Sequence, residues 1–151
     1  MTSNVGKAAA SGYNVREAAI QAIVSMLDAM PEVAKVLRTD TVTKIARTAF
    51  PAVIVLDDGN ETRNPKTGGM ADVFFTLHLK GAVIGNNQST AMNGLDKAMK
   101  AAVYADLTLS GTIANIKILP REQTDLDGGE TLATFVRPVE IYYEANEVNG
   151  D

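Results

Sequence analysis

The sequence predicts an α+β domain: a mixed or antiparallel sheet of about four to five strands with two helices packed on one face. Three observations carry this. Apolar residues recur at helical spacing in two stretches, one after Asn14 and one after Ser89. Dense or alternating apolar runs at 51–56, 71–84, 113–119 and 132–143 read as strands. The order is then helix, strand, strand, helix, strand, strand, and strands with one apolar face need a cover on that face. In a chain of 151 residues, one domain is expected over 13–144. A flexible leader at 1–12 and a flexible tail at 145–151 are expected to flank it.

The leader is short of large apolar side chains, so the first helix is expected to start at Asn14. Asn14 suits an N-cap, and Glu17 stands at capping-box spacing. Val15, Ala18, Ala19, Ala22, Ile23, Met26, Leu27 and Met30 form one stripe, and Pro31 ends it. Residues 32–50 include the β-branched cluster Thr39, Thr41, Val42 and Thr43, which predicts an irregular connection with at most one short helix or strand. The run from Pro51 to Leu56 reads as a buried strand, and 57–69 as a long polar loop. Residues 71–84 alternate, with Val73, Phe75, Leu77 and Leu79 on one face and Phe74, Thr76, His78 and Lys80 on the other. Residues 51–84 are therefore expected to form an antiparallel hairpin with an oversized tip.

Ser89 or Thr90 caps the second predicted helix. Its stripe is Met92, Leu95, Ala98, Met99, Ala102 and Val103, which leaves Asp96, Lys97 and Lys100 to solvent. The pattern breaks over 106–112. Leu107 and Leu109 there are expected to plug the corner between helix and sheet rather than to stand out as anchors. Ile113, Ile116, Ile118 and Leu119 suggest a strand stopped by Pro120, and 122–130 an acidic turn. In the last strand Phe135, Val139, Ile141 and Tyr143 share a parity with Arg137, and Pro138 moves it towards an edge or a bulge.

Composition excludes much chemistry. There is no cysteine, hence no disulfide, thiolate metal site or cysteine nucleophile. A net charge of −4 argues against coating of DNA, which needs clustered Lys and Arg. No apolar run approaches the about 20 residues of a membrane span, and no signal peptide is read at the N-terminus. The expected setting is the cytoplasm of the producing cell. His78 is the only imidazole and reads as a solvent-facing strand residue. No Gly-x-Ser-x-Gly elbow, dinucleotide fingerprint or phosphate loop occurs. Residues 57–61 and 125–130 lack the spacing of a calcium loop and read as solvated carboxylates. No catalytic, cofactor-binding or metal-binding residue is assigned, and a non-enzymatic protein is expected. The candidate partner-binding residues lie in the 57–69 segment: Asp57, Asp58, Glu61, Arg63 and Lys66.

One pattern is more specific. A helix ending in small residues leads into Asp106-Leu107-Thr108-Leu109-Ser110-Gly111-Thr112, then a strand, an acidic Asp-Gly-Gly turn, and a strand ending Tyr142-Tyr143. With the N-terminal helix, the Pro-Ala-Val-Ile-Val strand and the polar hairpin, this resembles the tail terminator (tail-completion) proteins of long-tailed bacteriophages over residues 14–144. The resemblance implies a virion structural protein assembled in the host cytoplasm. It implies a ring, usually of six copies, that caps the tail tube and receives the head connector while DNA passes through its bore. The lumen carboxylates are then expected to include Asp125, Asp127 and Glu130. The alternatives are a tail-tube or neck adaptor subunit, and a small hydrolase or ligand-binding domain that uses His78 with a nearby carboxylate.

Overall fold

The computed structural model describes residues 3–122, 124–126 and 132–149. Two helices, α1 (Ser3–Asp28) and α2 (Gln88–Ala105), cover one face of a mixed sheet. The strands are β1 (Lys35–Leu37), β2 (Ala52–Leu56), β3 (Glu61–Pro65), β4 (Met70–Ile84), β5 (Asn115–Ile118), β6 (Thr124–Leu126) and β7 (Leu132–Asn146). The α+β architecture and the helices on one face are as the sequence predicts. Seven segments make the sheet, but it is only five strand positions wide, because β2 and β3 share one edge of β4, and β5 and β6 share one edge of β7. Only β1 and β2 run parallel.

The sheet is built from two long hairpins laid side by side. In the first, β2 and β3 run back along β4; in the second, β5 and β6 run out along β7. β4 and β7 then pair antiparallel along their whole length, from Met70↔Asn146 to Ile84↔Leu132. Odd-numbered residues of both strands face the helices. Val73, Phe75, Leu77, Leu79, Phe135, Val139 and Ile141 meet Ile20, Ile23 and Leu27 of α1 and Met92, Leu95 and Met99 of α2, all buried. Each Å² of apolar surface that this layer removes from water stabilises the fold by about 25 cal/mol.

Several boundaries differ from the sequence reading. Helix α1 begins at Ser3, upstream of the expected Asn14, and Ala8, Ala9 and Ala10 are strong helix formers that carry it there. Most of the expected 57–69 loop is strand β3; the true tip is the short turn Thr67–Gly69. Its polar composition hid it, because an exposed edge strand has no apolar face to display. Strand β6 likewise lies within the expected acidic turn. Strand β7 continues to Asn146, followed by a 3-10 turn at Glu147–Asn149, past the point where a tail was expected.

Pro138 does not place β7 at an edge, since β7 lies between β4 and β5/β6. The carbonyl of Pro138 accepts the Leu119 N–H at 3.0 Å, so its missing N–H points to that same side. There the β5–β6 register steps, and the ladder with β4 loses nothing. The bulge half of the expectation is what the fold adopts.

The second face of the sheet is only partly covered. The β1–β2 connection lays Val42, Ile45 and Phe50 over Ile54, Ala82 and Leu132. Beyond that end, Phe74 and Tyr142 stack with centroids 4.7 Å apart and remain half-buried. Leu109 is buried and Leu107 packs against the core, so both plug the corner as expected. Leu109, Ser110 and Gly111 all have positive φ, and the Asp106 carboxylate holds this turn by accepting the Ser110 N–H at 3.0 Å.

Candidate functional site

Both long hairpins break register at the same height. Between Leu56↔His78 and Glu61↔Phe75 the outer chain advances five residues while β4 advances three. Between Ile118↔Val139 and Thr124↔Phe135 the outer chain advances six while β7 advances four. Each step is a bulge, which re-aims side chains. His78 pairs with Pro138 between the two steps, and its even-numbered position puts it on the face away from the helices.

Asp58 comes from the first step and Glu122 from the second. His78 Nδ1 lies 2.6 Å from Asp58 Oδ1, while Nε2 faces Glu122 Oε1 across 3.9 Å, beyond hydrogen-bond reach. Lys80, one pleat along, binds Asp40 at 2.8 Å. A shallow hollow of about 230 Å³ lies among Asp40, Asp58, His78, Lys80 and Glu122, and a second of about 280 Å³ lies on the other side of His78. The site is open, for the Asp58 and Glu122 side chains are 60% and 55% exposed. Gly59 makes the first step possible: a Cβ there would stand 2.2 Å from the carbonyl oxygen of Thr76. An imidazole held through Nδ1 by a carboxylate presents Nε2 as a base or as a hydrogen-bond partner. Among the described residues, no group of three or more His, Cys, Asp or Glu side chains is placed to hold a metal ion.

The predicted partner-binding residues are pinned rather than loose. Asp57 and Glu61 both bind Arg16 of α1, at 2.5 and 2.6 Å. Arg63 lies between Glu61 and Glu147, and Lys66 between Asp72 and Glu144. The Tyr142 hydroxyl donates to Asp72 at 2.8 Å. This bond and the Lys66 ammonium hold the Asp72 carboxyl below its ordinary range, and the same bond raises the Tyr142 phenol. Glu144 and Asp72 together hold Lys66 above its ordinary range. The structure brings Asp58 to His78 but keeps Arg63 and Lys66 at the far end of the hairpin. Asp125 lies in β6; Asp127 and Glu130 lie outside the described residues.

Nothing in the sequence marks Glu122 and Asp40 as neighbours of His78 and Lys80. No local pattern marks such pairs, because they are made by sheet register across distant parts of the chain. The Pro138 signal came closest, since it flagged the level at which one hairpin steps.

The chain matches no protein-family model, and no curated protein matches it. Among the described residues no helix is long and apolar enough to cross a membrane.

Proposed function

We propose that this chain is a virion structural protein, a tail terminator that closes into a ring on the tail tube and offers the other side of the ring to the head connector. The observation that carries the reading is the half-covered sheet. Over the Phe74–Tyr142 stack and the neighbouring Thr62, Thr76 and Lys117, no helix or strand lies on the face opposite the helices among the described residues. A sheet face with stacked aromatics ringed by polar side chains suits contact with another protein. Repeated around an axis, such a contact between different surfaces closes a ring. The order of elements and the Asp106–Thr112 turn, which is built around a buried Leu109, support the same reading.

The test is imaging of the purified protein by negative stain over a range of concentrations, with and without tail tubes. A terminator gives single rings and capped tubes of fixed length. A tube subunit gives long open stacks instead, and a chain that stays monomeric and leaves tubes uncapped removes the reading. In this assignment Asp125, Asp127 and Glu130 line the bore and repel phosphate. The triple variant D125N/D127N/E130Q is expected to form rings normally and to lower infectivity through impaired DNA passage. Unchanged infectivity counts against the lumen assignment alone.

A second reading rests on the Asp58–His78 hydrogen bond, the arrangement that orients a general base. It predicts hydrolysis of an activated aryl ester faster than free imidazole achieves, with the excess lost in His78→Ala. A rate equal to that of imidazole removes the enzyme reading.

A further inference from the structure

We infer that strand β3 is a self-complementary edge through which two copies of this chain pair about a two-fold axis at Thr62. The inference does not depend on the tail-terminator reading. Thr76 donates its N–H to the Asn60 carbonyl at 3.2 Å, and Lys66 donates its N–H to the Met70 carbonyl at 2.7 Å. In an antiparallel ladder the hydrogen-bonded pairs alternate, so the even-numbered residues between these points turn their N–H and C=O towards β4. Glu61 and Arg63 therefore turn theirs outward. Strand β1 covers only Ala52–Ile54 of β2, and among the described residues β3 pairs with no strand other than β4.

A second β3, run antiparallel and centred on Thr62, fits this edge in both backbone and charge. Glu61 of one copy comes opposite Arg63 of the other, and Arg63 opposite Glu61, each as a hydrogen-bonded pair that exchanges two backbone bonds. Both side chains lie on the helix-side face, in register with Phe75 and Val73. Opposite charges therefore stand directly across the joint on one face, the favourable cross-strand arrangement. On the other face Thr62 meets Thr62, a pair that also occurs among stabilising cross-strand partners. Glu61 already lies beside Arg16, and Arg63 beside Glu147, so the joint forms a row of alternating charge without burying an unpaired one. Residue i meets j and j meets i, as a two-fold contact requires. An edge of five residues is small, so the dimer is weak and depends on concentration.

The chain has no cysteine, which makes the test direct. At the two-fold axis the Thr62 Cα atoms stand about 4.5 Å apart in a non-hydrogen-bonded pair, inside the range that a disulfide spans. Thr62 is exposed, so the T62C variant keeps the fold, which circular dichroism checks. Under mild oxidation T62C is expected to form a covalent dimer. K97C, a cysteine on the exposed side of α2, is expected to remain uncoupled under the same conditions. Charge reversal in E61R places like charges across the joint and is expected to weaken the dimer of the otherwise native chain about tenfold in sedimentation. The double reversal E61R/R63E restores opposite charges and is expected to recover it. A T62C chain that folds but does not cross-link overturns the inference. So does cross-linking of K97C at an equal rate, or a double reversal that folds and dimerises no better than E61R.

Discussion

Replacing Asp96 with Ala is expected to lower the unfolding free energy by about 3–5 kcal/mol, because the change leaves the Arg137 guanidinium buried without its anion. Asp96 is 5% exposed on the inner face of α2. Arg137 reaches it from β7 through two charge-assisted bonds, Nε to Oδ1 at 2.9 Å and Nη2 to Oδ2 at 2.6 Å. Its remaining Nη1 donates to the Leu119 carbonyl at 2.8 Å, at the start of the β5–β6 step. The forked geometry fixes both partners, and Arg121 adds a second positive group at 3.6 Å from Asp96 Oδ2. Urea denaturation measures the loss as a fall in the midpoint at unchanged slope. A control separates the cost of an orphaned charge from the worth of the pair. The double variant D96L/R137M removes both charges at similar volume and is expected to lie within about 1–2 kcal/mol of the native protein. If Asp96→Ala alone costs under about 1 kcal/mol, the pair is solvated in practice and holds nothing.

That same pair shows where the sequence was legible and where it was not. The helical stripe of α2 is legible at Met92, Leu95, Met99 and Val103, all of which are buried. The same pattern assigns Asp96 to the solvent side, since a carboxylate within a helix usually faces water, yet Asp96 is buried. Its burial depends on Arg137, whose place in the inward parity of β7 was visible but had no partner in view. Periodicity reports which side chains share a face; it does not report which charges find each other across two elements. The hairpin of residues 51–84 was legible from the alternation around Val73, Phe75 and Leu77 for the converse reason, because an apolar face leaves a pattern in the chain. Strand β3 carries none: Glu61, Thr62, Arg63, Asn64 and Pro65 are polar or turn-forming, and pairing with β4 alone makes them a strand.

The candidate site divides in the same way. The alternation of 71–84 predicts His78 as a solvent-facing strand residue, and it lies on the face away from the helices with its side chain 25% exposed. That Asp58 and Glu122 flank it follows from two register steps of two residues each. A one-residue step would have turned the strands beyond it to the opposite face and destroyed the alternation; a two-residue step preserves it and leaves no trace in the pattern. The glycine that permits the first step, Gly59, sat within a Gly-containing polar stretch and read as loop composition.

The packing of Phe135 onto Gly81 yields the second large effect. Gly81 faces the helices from near the C-terminal end of β4, opposite Phe135 on β7, and the phenyl ring occupies the space its side chain would take. A Cβ added at Gly81 would stand 2.3 Å from Phe135 Cε1 and 3.1 Å from Leu95 Cδ2. The ring has no free direction to move, since Phe135 is fully buried beneath α2 and the Arg121 guanidinium lies 5.5 Å from its centroid. Gly81→Ala is therefore expected to cost about 1–3 kcal/mol through overpacking, although alanine normally favours a strand over glycine. Phe135→Ala is expected to cost about 3–5 kcal/mol, the loss of a buried ring together with the cavity it leaves. The two losses act on one space, so they should not add. In G81A/F135A the new methyl group occupies part of the vacated volume, and the double variant is expected to be more stable than the sum of the single effects by about 0.5–3 kcal/mol. Urea midpoints of the four proteins close this cycle. Strict additivity would show that β4 and β7 relax apart under either substitution, and that the ring on the glycine is not what sets the spacing of the sheet from α2.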